Sequence, residues 1–114
     1  MISRKNRFHG YNSLKSVYYR AQTVRDNTIS IKFVGSQKRS DSRIAVVVSK
    51  KVHKSAVKRN RIRRRIFEVI RLNLPNFNNC YDIIITVFDD SIVDAPSSAL
   101  TKSIENLLKK ANII

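Results

Sequence analysis

Nine of the seventeen residues from Ser49 to Arg65 (SKKVHKSAVKRNRIRRR) are lysine or arginine, and no acid occurs between Ser42 and Phe67. Such a run is suited to binding phosphate. Arginine forks match phosphate geometry and stack on bases, whereas lysine acts as a point charge. At about 100° per residue, a helix over residues 60–71 puts Ile66, Val69 and Ile70 within roughly 80° of Ile62. Asn60, Arg63, Arg64, Phe67 and Arg71 then fall on the opposite side, with Arg61 and Arg65 on a flank. One helix therefore buries an aliphatic stripe and displays a cationic face. Asn60 adds an amide that both donates and accepts. Lys50, Lys51, Lys54 and Lys58 surround the helix start, where the helix dipole also favours an anion. A merely solvated helix face usually mixes signs to gain i,i+4 pairs. Here like charges repel at every spacing, which points to a polyanion such as RNA or DNA. A membrane-surface helix fits less well, because its apolar stripe is narrow and the core needs it.

The other chemistry-bearing residues form no catalytic set. Asp89, Asp90 and Asp94 could be imagined as two-metal nuclease ligands. A turn and a helix cap explain them without any third carboxylate or histidine nearby. His9 and His53 lack ligand-type neighbours, and no Ser/His/Asp arrangement can be argued. Gly10 and Gly35 are the only glycines, which leaves no glycine-rich phosphate loop. We therefore expect no catalytic residue, no metal ligand and no bound cofactor in the chain itself. Phe8, Tyr11, Tyr18 and Tyr19 sit among Arg7, Lys15 and Arg20, a mixture suited to stacking unpaired bases. Tyr18 also lies on an apolar stripe, so core and surface roles are both open for it; Tyr19 points away from the stripe.

The totals agree with a polyanionic partner. The net charge is +15 over 114 residues, where a soluble domain of this size favours a magnitude of roughly 2 to 8. Residues 1–79 carry +17 and residues 80–114 carry −2, so one part of the chain makes the basic surface. With 42% hydrophobic and 27% charged residues, a packed core is expected. Residues 1–114 read as one domain, with residues 1–10 (Arg4, Lys5, Arg7) as a basic N-terminal arm. The lone Cys80 excludes an internal disulfide and a cysteine-based zinc site, and fits a reducing cytoplasm. No apolar run approaches the ~20 residues that span a bilayer. No protein partner is evident.

The elements that must position these residues follow from periodicity. Asn12 or Ser13 can cap a first helix whose stripe is Leu14, Val17, Tyr18 and Ala21. Residues 28–34 alternate as a half-buried strand, with Ile29, Ile31 and Phe33 on one face. Ile44 to Val48 is apolar enough to suggest a central strand. Residues 55–73 form the cationic helix, ended by Pro75. Residues 81–88 make a buried strand, and Pro96 and Ser97 open a last helix with Leu100, Ile104, Leu107, Leu108 and Ala111 on its apolar face. This order predicts an α+β fold: a two-layer sandwich of a small mixed sheet with helices packed on it.

Ala56-Val57-Lys58-Arg59-Asn60-Arg61-Ile62-Arg63-Arg64, preceded by Ser49-Lys50-Lys51-Val52, closely resembles the signature of the bacterial ribonuclease P protein component, S-K-K-V-G-x-A-V-x-R-N-R-hydrophobic-K/R-R. Length, charge and element order extend the resemblance over nearly all of the chain. The resemblance implies a fold like the second domain of ribosomal protein S5, with a left-handed β-α-β crossover. It implies a basic helix that contacts a catalytic RNA, and a cleft between sheet and first helix that holds the 5′ leader of precursor tRNA. On that basis Lys50, Lys51, Lys54, Lys58, Arg59, Asn60, Arg61, Arg63 and Arg64 are the expected RNA-binding residues. Leu14, Tyr18, Val46 and Val48 are the expected leader-cleft residues. The implied activity is ribonucleoprotein endonuclease cleavage that gives the mature tRNA 5′ end, with Mg2+ and the catalytic centre in the RNA. Four positions depart from the pattern: His53 for glycine, Phe67 for arginine, Ala21 for glycine and Leu14 for phenylalanine. The alternatives are a non-enzymatic ribosomal-type or chaperone RNA-binding protein, and a self-contained nuclease using the aspartates.

Overall fold

The structure is a computed structural model that describes Asn6, residues 17–35 and residues 41–114. The other positions of the expected arm, and Tyr11, Asn12, Ser13, Leu14 and Lys15, lie outside the described residues. Residues 17–20 are helical and are labelled α1. They are followed by β1 (Gln22–Arg25), β2 (Ile29–Gly35), β3 (Arg43–Val47), α2 (Ala56–Asn73), β4 (Tyr81–Val87) and α3 (Ser97–Lys110). The fold is α+β, as the periodicities indicate.

The sheet order is β1-β2-β4-β3. β1 and β2 form an antiparallel hairpin, closed by Asp26. Its Oδ1 accepts from the backbone N–H of Thr28 at 2.8 Å and of Ile29 at 2.9 Å, as an aspartate at the start of a turn commonly does. β2 and β4 are antiparallel, and β3 and β4 are parallel, joined through α2. β1 escapes a periodicity reading because it is a four-residue, mostly exposed edge strand. β3 is also an edge, not the central strand its apolar run suggests. β4 is central, and its run Ile83-Ile84-Ile85 is fully buried. β3 is apolar because one side meets the helices, while Ala45 and Val47 on the other side are only half-buried.

Side-chain alternation splits the sheet into two unlike faces. Ile44, Ile83 and Phe33 align across the strands, as do Val46, Ile85 and Ile31. All six join the main core, with Ile62, Ile66, Phe67, Val69 and Ile70 of α2 and Leu100, Ile104, Leu107 and Leu108 of α3. α2 starts at Ser55, whose side chain accepts from the Lys58 N–H at 3.3 Å. It stops where Pro75 removes a donor and opens a short 3-10 turn over Leu74–Asn76. After β4, Asp89 accepts from the Ser91 N–H at 3.0 Å and caps a 3-10 turn over Asp90–Val93. The aspartates thus do turn work, although Asp94 does not cap α3, whose N-cap is Pro96. Beyond α3, Asn112 takes a left-handed φ of 58°. That conformation lets the Ile113 N–H reach the Leu108 carbonyl at 2.9 Å and turns Ile113 into the core. Among the described residues no helix is long and apolar enough to cross a membrane.

Candidate nucleic-acid interface

The cationic run does not act as one uniform surface. Its arginines divide into those held by the protein's own carbonyls and those left to solvent. Arg65, which charge alone would place among the phosphate ligands, is half-buried. Its Nη1 donates to the carbonyls of Ile92 at 2.5 Å and Val93 at 3.0 Å, and its Nη2 donates to that of Ala95. One helical turn earlier, Arg61 Nε donates to the Val93 carbonyl at 3.1 Å. The two guanidiniums strap the turn after β4 to α2 and satisfy carbonyls that the short 3-10 turn leaves open. Arg59 performs the same task before the helix, donating to the carbonyls of His53 and Lys54, both at 2.9 Å. His53, which replaces the resembled pattern's glycine, contributes here: its Nδ1 accepts from the Ser55 N–H at 3.1 Å.

Arg63 donates to Asn60 Oδ1 at 2.6 Å and toward the Val48 carbonyl at 3.4 Å. The Asn60 oxygen is therefore engaged, and its amide nitrogen remains as a donor for a ligand. The side chains of Lys50, Lys51, Lys54, Lys58 and Arg64 are exposed, and among the described residues none makes an intramolecular hydrogen bond or ion pair. Further along α2, Arg71 pairs with Glu68 through contacts of 2.5 and 3.0 Å. The Arg71 guanidinium holds the Glu68 carboxyl below the usual glutamate range.

Phe67 needs correction. Helical period alone turns it to solvent, but it is 7% exposed and part of the core. The core reaches further round α2 on the side of β3, where Arg63 also meets the Val48 carbonyl.

The expected leader cleft also needs correction. Val46 and Val48 are 9% and 4% exposed and lie within the main core, so they cannot line an open surface. A one-residue change of parity exchanges the faces of a strand, and the outward residues of β3 are Ala45 and Val47. Tyr18 is 46% exposed and Tyr19 82%, so both present their rings to solvent. Leu14 lies outside the described residues.

The face of the sheet turned away from α2 and α3 carries features that strand-by-strand reading missed, because they arise from cross-strand register; its centre is not open to solvent, since Ser30 and Asp82 are each only 5% exposed. Arg43 lies opposite Asp82 and grips its carboxylate with two hydrogen bonds of 3.0 and 2.9 Å. Lys32 reaches Thr23 Oγ1 at 3.2 Å. The Arg25 guanidinium sits 4.9 Å over the ring centre of Phe88, a cation–π contact on a half-exposed ring. Ile84 is fully buried yet stands outside the main cluster, since alternation turns it to this face. Among the described residues no group of three or more His, Cys, Asp or Glu is placed to hold a metal ion.

Known proteins share this fold. A family model described as Ribonuclease P matches residues 2–112. A Pseudanabaena protein named ribonuclease P protein component is 30% identical over 115 residues, covering 100% of this chain and 97% of its own length. A Chloroflexus aurantiacus protein of the same name is 38% identical over 81 residues, covering 71% of this chain. The match spans 59% of that relative's length. In structure, a Staphylococcus aureus RNase P protein mutant superposes with a TM-score of 0.85 at 22% identity, over 97% of this chain and 92% of that one. The Thermotoga maritima RNase P protein superposes with a TM-score of 0.75 at 19% identity, over 85% and 89% of the two chains.

Proposed function

The chain belongs to the ribonuclease P protein family, and from that premise we propose that it is the protein subunit of a ribonucleoprotein endonuclease that removes the 5′ leader of precursor tRNA. Its two partners are then the catalytic RNA and the precursor tRNA, and its compartment is the bacterial-type cytoplasm. The observation that carries the reading is the pair of unlike surfaces: a cationic face on α2, and a second sheet face, buried at its centre, whose margins mix cations, half-buried small apolar residues and a half-exposed aromatic ring.

The catalytic RNA binds α2. Lys50, Lys51, Lys54, Lys58 and Arg64 meet phosphates directly, while Asn60 donates its amide. Arg59, Arg61 and Arg63 belong to the same interface, but each also holds the backbone or a neighbour in place. The single-stranded leader lies along the margin of that second face, past Ala45 and Val47, with Tyr18 as a stacking surface. Base–aromatic stacking supplies about 1–3 kcal/mol per base. Mg2+ held by the RNA supplies the hydrolytic chemistry; this chain supplies affinity and offsets RNA–RNA repulsion.

The test is cleavage of a precursor tRNA by a bacterial ribonuclease P RNA at low magnesium, with and without the protein. The protein alone should be inert, and its addition should restore correct 5′ cleavage. Tight RNA binding without restored cleavage, and equal affinity for precursor and mature tRNA, would replace this reading with general RNA binding. Loss of all cleavage in an Asp90→Ala variant with normal assembly would instead put the chemistry on the protein.

A further inference from the structure

Between α2 and α3 the surface folds into a groove of about 430 Å3, within the range of small-ligand clefts, about 300–1,000 Å3. Val69, Leu72 and Leu100 line it, with the Ser97 and Thr101 hydroxyls on one side and Arg64 at its rim. Leu72 is 59% exposed. A single exposed leucine is ordinary; this one extends a recess whose other apolar walls are core residues.

The charges around the groove are not equally available. Arg65 is committed to the carbonyls of Ile92, Val93 and Ala95, and Glu68 is held by Arg71. Arg64 is exposed and makes no intramolecular hydrogen bond or ion pair among the described residues. The groove therefore offers one uncommitted cation beside an apolar recess edged with two hydroxyls. The complementary ligand has one anionic group next to a planar body with hydrogen-bonding edges, which describes a nucleotide. Arg64 also belongs to the cationic face of α2, so the groove is continuous with that surface.

We propose that this groove receives one unpaired nucleotide of the RNA bound on α2, with its phosphate on Arg64 and its base against Leu72 and Leu100. The Ser97 and Thr101 hydroxyls read the base edge. The proposal rests on the ribonuclease P reading above and adds a base-binding site to its phosphate contacts.

The test uses the full chain, a bacterial ribonuclease P RNA and two uncharged substitutions. Leu72→Asn removes the apolar wall, and Thr101→Phe fills the groove from the other side. Neither changes net charge, so a weaker complex cannot be ascribed to electrostatics. Each should keep the parent's Tm and bind the RNA roughly tenfold more weakly, the loss expected when one base loses its apolar contact. AMP alone, at millimolar concentration, should shift the NMR signals of Leu100 and Thr101 in the parent and not in Leu72→Asn. Should one variant fail to fold, the other and the AMP titration decide. If the parent binds the RNA and both variants bind it equally well, the groove is not a nucleotide site and the family reading stands. The nucleotide site is likewise refuted if AMP shifts nothing, or if the variants change only the oligomeric state, which would mean a second copy occupies the groove. If the parent itself does not bind the RNA, the broader reading fails and this site falls with it.

Discussion

Arg64 and Arg65 are adjacent in sequence, and the structure sets them in opposite surroundings: Arg65 is held by backbone carbonyls and Arg64 is exposed. Removing each in turn therefore separates assembly chemistry from fold chemistry. Arg65→Ala deletes the hydrogen bonds to the carbonyls of Ile92, Val93 and Ala95. A hydrogen bond contributes a net ~1 kcal/mol, and one made by a charged group more. The freed carbonyls are only partly buried and can recover water, so about 1 kcal/mol per bond is appropriate, roughly 3 kcal/mol in all. With an unfolding entropy of about 2.1 cal/mol/K per residue, a 114-residue chain should lose about 12 °C in Tm. Its RNA-binding salt dependence should stay unchanged at temperatures where it is folded, because no phosphate contact has been removed. Arg64→Ala should do the reverse. Its Tm should stay near the parent's, while the slope of log K against log salt becomes shallower by about 0.7–0.9, the value of one phosphate. The assay is thermal denaturation by circular dichroism, together with RNA titrations at four or five KCl concentrations. If Arg65→Ala keeps its Tm and loses close to one unit of slope, its guanidinium faces phosphate and the strap is wrong.

Three further outcomes follow from the geometry. Phe67→Ala should cost about 3–4 kcal/mol, seen as a fall in urea midpoint, because Phe67 is core and not surface; a near-neutral result would return it to solvent. Asp82→Ala leaves Arg43 without the carboxylate it grips across the β3–β4 register. The Arg43 side chain stays 20% exposed, so losing this part-buried pair should cost about 1–3 kcal/mol, and Asp82→Asn should cost less by keeping one acceptor, as calorimetry of both variants would show. For Glu68 the sign is set by Arg71, which lowers its carboxyl in the folded state. The pair's contribution is therefore present above the ordinary glutamate value and lost as pH falls through the lowered one. The Tm values of the parent and Glu68→Gln should differ slightly near neutrality and converge in acid; a gap that widens in acid contradicts the pairing.

The sequence alone determined what depends on composition and on spacing within one element. The +15 charge and its concentration before residue 80 point to a polyanionic partner. The 3.6-residue stripe of Ile62, Ile66, Val69 and Ile70 defines α2, and its ordered signature identifies the family. Turn chemistry at Pro75 and Asp89 is local and was legible for the same reason. What required the tertiary structure is everything that depends on a distant backbone atom. Arg65 is as basic as Arg64, but only the path of residues 92–95 puts carbonyls in front of its guanidinium. Val46 and Ala45 alternate in any strand, and only the placement of α2 and α3 decides which of the two is covered. β3 is an edge because β4, some forty residues later, pairs with β2 on one side and β3 on the other. Phe67 is buried because the core extends round one flank of α2, which helical period cannot express. Local spacing fixes which residues share a face; the long-range packing of other elements decides which face meets water, and so which charges remain free to bind.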